Sequence, residues 1–164
     1  MNTSKVQHAH ELCNSGNFQE ALEHFKELAA QSADPLERAG YLIDQATCHS
    51  KAGHFTEARA CVAEAKKLAV VDTMARVQID IFSATLLIEE GARERGLDAL
   101  SQILKNYASW LEGGEGRELY QDIEMQRGFT LMHLSRCAEA RSILEEVVSF
   151  NLGREERSRV HCHL

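Results

Sequence analysis

Eight histidines and five cysteines supply the metal donors and nucleophiles of this 164-residue chain, and their spacing limits the chemistry open to them. His8 and His10, like His161 and His163, stand two residues apart. On a helix that spacing turns the rings about 200° from each other, so neither pair can grip an ion as an i, i+4 pair would. Cys137 opens a segment with helical patterning, where a helix dipole lowers a thiol's pKa. No histidine has a sequence-fixed relation to it, and a nucleophile needs an activating base within hydrogen-bond reach. The carboxylate pairs Glu89-Glu90, Glu145-Glu146 and Glu155-Glu156 are adjacent in helical segments, so they point in different directions and read as solvated faces. The chain is therefore expected to be no enzyme, to hold no metal and to need no cofactor.

Cys13, Cys48, Cys61, Cys137 and Cys162 are odd in number, widely spread and free of any C-x-x-C pair, which fits reduced thiols in a core better than a disulfide framework. A net charge of -7, from 25 acids against 18 bases, repels a phosphate backbone, so nucleic acid is not an expected partner. Met1 to Cys13 contains no apolar stretch behind a basic segment, and no apolar run approaches the roughly 18 to 20 residues that a membrane span needs. The sequence reads as a soluble cytoplasmic protein.

The elements that position these side chains are helical. Ala, Leu and Glu supply 20, 18 and 19 residues, against 15 for Val and Ile together, and there is a single proline, Pro35. Apolar residues make up 44% of the chain, enough for one domain with a real core over 1–164. Within that domain the sequence repeats. Gly16-Asn17-Phe18-Gln19-Glu20-Ala21, followed by Phe25 and Leu28, returns 37 residues later as Gly53-His54-Phe55-Thr56-Glu57-Ala58, followed by Val62 and Ala65. Weaker copies begin at Gly91, with Gly96, Leu100 and Ile103, and at Ser135, with Cys137, Ala140, Leu144 and Val147, giving offsets of 38 and 44.

Each copy reads as two helices around its glycine. Phe18, Ala21, Leu22, Phe25, Leu28 and Ala29 fall on one helix face, and Ala140, Ile143, Leu144 and Val147 repeat the stripe. Seven places before each glycine, or before Ser135, stands a small residue, Ala9, Ala46, Ala84 or Gly128, which lets a neighbouring helix approach closely. Asp34-Pro35-Leu36-Glu37 and Asp72-Thr73 read as helix starts, and Gly16, Gly53 and Gly91 allow the left-handed backbone that ends a helix. The patterning predicts helix pairs near 3–32, 35–70, 73–111 and 117–150, with a terminal helix near 154–164. Each pair divides at its turn, and 93–111 is expected to be one helix. Glu112-Gly113-Gly114-Glu115-Gly116 is expected to be a flexible loop with the makings of a hinge.

A small residue, a glycine, an aromatic, an alanine and a large apolar residue, in helix pairs of about this length, resemble the tetratricopeptide repeat (TPR) over residues 3–150. The third copy departs from the pattern with Arg93 and Gly96, the fourth with Ser135 and Cys137. The resemblance implies an all-α fold, antiparallel helix pairs stacked as a right-handed α-solenoid, with the first helix of each pair lining a concave groove for a peptide or protein segment. Stacking is also a physical necessity, because one helix pair cannot bury its apolar face alone.

If the first helices line a groove, the residues between their packed positions face the ligand. These are Val6, His10 and Asn14; Ile43, Thr47 and Lys51; Gln78, Ile81, Thr85, Ile88 and Glu89; and Asp122, Met125, Phe129, Met132 and His133. Ile81, Ile88, Met125, Phe129 and Met132 make the later half apolar, as a binding patch would be, unless they pack on a neighbouring helix. One subgroup of the family holds acidic C-terminal peptides with cations and amides, but Val6, His10, Asp44, Gln78 and Phe82 stand at those places here. His49 occupies a slot for a large core residue and is expected to be buried and hydrogen-bonded. Residues 154–164 read either as a polar helix shielding the last pair or, preferably, as the start of a fifth copy in a longer protein. The expected function is a non-enzymatic scaffold or adaptor that binds protein. The alternative is a structural unit forming a homodimer through its C-terminal helix.

Overall fold

The computed structural model describes residues 3–113 and 116–149. Among these residues there are nine helices and no strand: α1 (Thr3–Asn14), α2 (Phe18–Gln31), α3 (Pro35–Lys51), α4 (Phe55–Leu68), α5 (Thr73–Glu89), α6 (Arg93–Asn106), α7 (Ala108–Leu111), α8 (Arg117–His133) and α9 (Cys137–Ser149). The expected terminal helix at 154–164, with Glu155-Glu156, His161 and His163, lies outside the described residues, as do Gly114 and Glu115 of the expected hinge. Gly113 and Gly116, on either side of those two, fold back on the end of α7, where Gly113 donates its N–H to the Trp110 carbonyl at 3.1 Å. A Cβ on Gly116 would stand 2.5 Å from that same oxygen, so only glycine fits.

One element differs from expectation. The helix foreseen over 93–111 is broken at Tyr107, whose backbone (φ -116°, ψ 16°) leaves the helical region and separates α6 from the four-residue α7. No glycine or proline marks the break.

The helices group into two compact units, Met1–Glu90 and Gly91–Leu164. In the first, α1 packs on α2, α2 on α3, α3 on α4, and α5 on both α3 and α4. One cluster forms around Phe25 and draws Ala9, Leu12 and Cys13 from α1, Ala21, Leu22 and Leu28 from α2, and Tyr41 and Cys48 from α3. A second collects Ala39 and Ala46, then Ala58, Val62 and Ala65, then Ile79 and Leu86. In the second unit α6 packs on α8 and α8 on α9, with Leu97, Leu131 and Ala140 in one cluster and Leu144 and Val147 in another. The repeat alanines Ala21, Ala58 and Ala140 are at most 1% exposed, and so are the upstream Ala9, Ala46 and Ala84. Gly128 plays the same part in α8, where a Cβ would lie 2.5 Å from Leu144 Cδ2.

The turns explain why this register holds. Gly16, Gly53 and Gly91 take φ values of 87°, 78° and 96°, and Ser135, at the fourth turn, takes 61°. Asn17 donates its N–H to Leu12 O at 2.9 Å, His54 to His49 O at 2.8 Å and Arg136 to Leu131 O at 2.9 Å, the six-residue closure that satisfies a helix's last carbonyls. Three-residue turns closed in this way set the joined helices antiparallel. At the starts, the Asp34 carboxylate accepts from Leu36 N at 3.0 Å and Asp72 from Ala75 N at 2.7 Å. Glu37 does not reach back to its cap. It accepts from Ser32 Oγ and from the Tyr41 hydroxyl, bonds that hold its carboxyl below the usual range, while Ser32 Oγ takes the Asp34 N–H.

A left-handed backbone costs a residue with a Cβ about 1–2 kcal/mol, of which glycine returns part through its freer unfolded chain. Ser135→Gly should therefore stabilise the protein by roughly 0.5–1 kcal/mol. A urea midpoint that fails to rise would show that Ser135 is not strained.

Candidate ligand groove

In the first unit, side-chain contacts link the first helices of the repeats. Lys51 Nζ on α3 donates to Asn14 Oδ1 on α1 at 2.7 Å. His10 on α1 faces Asp44 on α3, with 3.8 Å between Nε2 and Oδ1, too long for a hydrogen bond but close enough for attraction when the ring is charged. Burial pushes the Asp44 carboxyl upward and His10 opposes that shift. Ser50 on α3 donates to the Glu89 carboxylate on α5. The wall of α1, α3 and α5 that the repeat pattern implies is thus stitched by its own polar residues.

Between α3 and α5 the wall opens into a cleft of about 290 Å³ lined by Leu36, Ala39, Gly40, Ile43, Asp44, Ala75, Gln78 and Ile79. The helix start at Asp34-Pro35 fixes where α3 begins, and Asp72 does the same for α5, so Leu36, Gly40 and Ile43 face Ala75, Gln78 and Ile79. Nothing stands within 4 Å of where a Gly40 Cβ would be. Leu36 and Met74 are 37% and 40% exposed, which leaves the same ends of α3 and α5 partly apolar.

The sixteen residues assigned to a groove from the sequence fall in different settings. Ile43 and Gln78 line the cleft, and His10, Asn14, Lys51 and Glu89 take part in the cross-helix contacts. Val6 is half-buried against the Phe25 cluster. The Thr47 and Thr85 hydroxyls turn back to their own helix, donating to Ile43 O and Ile81 O at 3.0 Å in both cases. Ile81 is buried and Ile88 half-buried. In the second unit Met125 and Met132 rest against Leu144 and Val147 of α9, Phe129 is half-buried, and Asp122 and His133 are exposed. Leu36, Gly40 and Ala75 were not assigned to a groove, and Asp44 was named only where the sequence departs from the acidic-peptide pattern. The i, i+4, i+8 spacing of Leu36, Gly40 and Asp44 was the available signal.

The expectation for His49 needs correction. The side chain is half-buried, and its Nδ1 is buried with no hydrogen-bond partner among the described residues. Burial pushes its pKa below the usual histidine value, which favours the neutral ring. The ring lines a cavity of about 510 Å³ with Phe18, Leu22 and His54, at the turn ends of the first two pairs. Cys13 and Cys48 are buried thiols in contact, the Cys48 Sγ donating to Cys13 Sγ at 2.8 Å, and burial pushes the Cys48 pKa up, as befits unreactive core thiols. Cys137 is exposed beside the ion pair of Arg136 with Glu139.

No protein-family model and no curated protein matches the chain. Among solved structures it is similar to the nearly identical TPR-like repeats of a Podosopora anserina protein described as a kinesin light chain, with 16% identity and a TM-score of 0.66 over 99% of this chain and 86% of that one. A single-residue variant of the same protein matches with 17% identity and a TM-score of 0.67, over 99% and 85% of the two chains. The chain has the TPR-like helical-repeat fold, and at this identity the likeness bears on fold alone. Among the described residues no helix is long and apolar enough to cross a membrane.

Proposed function

We propose that this TPR-like repeat fold serves as a non-catalytic interaction module, a scaffold or adaptor that holds a segment of another protein against the first helices of its repeats. The observation that carries the reading is the cleft between α3 and α5, with Ile43, Ile79 and Leu36 as apolar floor and Asp44 and Gln78 as polar edge. An apolar floor with a few polar groups is what an inserted side chain needs, the apolar part for affinity and the polar part for register. Residues His10, Asn14, Lys51 and Glu89 extend the same wall with groups that can bond a peptide backbone.

Gly40→Leu tests the reading without harming the fold. Leucine replaces glycine in a helix interior with a gain of up to about 1 kcal/mol, and a Cβ there meets nothing within 4 Å. The variant should melt no lower than the parent and should lose proteins that the parent captures from a native lysate. An unchanged set of captured proteins would remove the cleft from the function. A concentration-dependent dimer that Gly40→Leu dissolves would make a second copy of the chain the occupant.

A further inference from the structure

Outside the cleft, two helices of the first unit bring three metal donors together. Glu20 and His24 are one turn apart on α2, a spacing that places both on one face. His8 comes from α1, which packs against α2. One ligand atom from each of His8, Glu20 and His24 lies within 4.8 Å of the other two. The His8 and His24 rings meet edge to face with centroids 5.4 Å apart. His8 and Glu20 are exposed and His24 is half-buried, so an ion can enter from solvent.

We propose that His8, Glu20 and His24 form a binding site for Zn²⁺. Two imidazole nitrogens and one carboxylate oxygen are a borderline donor set. Calcium and magnesium call for an all-oxygen shell, whereas zinc accepts nitrogen and oxygen donors tetrahedrally. Zinc–ligand bonds of about 2.0–2.2 Å place tetrahedral donors about 3.3 Å apart, so closing this set around an ion takes side-chain rotations of roughly 1 Å and leaves the backbone in place. The exposed His8 and Glu20 side chains make such rotations readily beside the half-buried His24. The fourth position stays open to water or to a donor from another molecule. A bound ion ties α1 to α2 in the first repeat, and because the unfolded chain does not hold the three donors together, zinc stabilises the folded state.

The test is a titration of the 164-residue chain with Zn²⁺ against a metallochromic chelator. It uses a Cys137→Ser, Cys162→Ser background so that these thiols do not compete. The expected result is one equivalent of zinc bound at roughly 10 µM or tighter, with a thermal midpoint that rises when zinc is added. His24→Ala and Glu20→Gln should each weaken binding by about 10-fold or more and remove the zinc-dependent rise. Glu20→Gln keeps the size of an exposed side chain and guards against a loss caused by misfolding. His133→Ala, on α8, should bind as the parent does. Stoichiometric binding that survives both His24→Ala and Glu20→Gln, or no binding at about 100 µM zinc, would overturn the site.

Discussion

Phe25→Ala should cost about 3–5 kcal/mol, the penalty for removing a fully buried aromatic ring from a packed core. The ring is 0% exposed and sits where α1, α2 and α3 meet, against Ala9, Leu12 and Cys13 on one side and Tyr41 and Cys48 on the other. The His10 ring rests edge-on at 5.1 Å between centroids, so truncation also removes an aromatic contact. The surrounding side chains sit on helices joined by tight turns, so the void closes only in part. Against a total stability of about 5–15 kcal/mol this is roughly a fifth or more of what the fold has, and the melting temperature should fall by roughly 10 °C. Phe18→Ala makes the control. Phe18 follows the same turn as the repeat's aromatic but is only half-buried, so its truncation should cost less than half as much. Equal urea midpoints for the two variants would show that the burial of Phe25 does not govern the stability of the first repeat.

The contrast between those two phenylalanines shows how far the sequence could be read. The glycine spacing was legible because a helix that stops in a left-handed residue needs glycine in most settings, and Gly16, Gly53 and Gly91 do adopt that backbone. The buried alanines were legible too, since a small residue at constant register marks where two helices touch. Ser135 keeps the turn with a Cβ in place, so the fourth repeat is present although its signature is worn. What escaped depends on contacts across helices. The break at Tyr107 carries no glycine or proline. The grouping of helices into units at Glu90 and Gly91 reflects packing density, whereas the Gly91 turn reads like its neighbours. His8 lies far from His24 in sequence and meets it only through the antiparallel register of α1 and α2, so a search for histidine pairs along one helix passes over it. The cleft between α3 and α5 likewise needed the lateral alignment of two helices separated by a third.

Phe129→Glu carries the groove proposal into the second unit, where α8 stands in the first-helix position. One face of α8 is packed: Gly128 and Leu131 are buried, and Leu144 fills the space where a Gly128 side chain would be. Met125 and Met132, four residues before and three after Phe129, lean on Leu144 and Val147, which places Phe129 between two half-buried methionines on a neighbouring face. If that face takes the ligand, a glutamate there puts a charge into an apolar contact, and binding should weaken by about 2 kcal/mol or more, roughly 30-fold. The thermal midpoint should move by only a few degrees, because a half-buried site lets the new carboxylate reach water. If Phe129 instead belongs to the packing of the unit, the same substitution strands a charge among apolar neighbours and the helical signal should collapse. Melting and partner capture measured on the one variant separate these cases: a near-normal melt with lost capture gives α8 a ligand face of its own, and a collapsed melt removes Phe129 from the groove proposal.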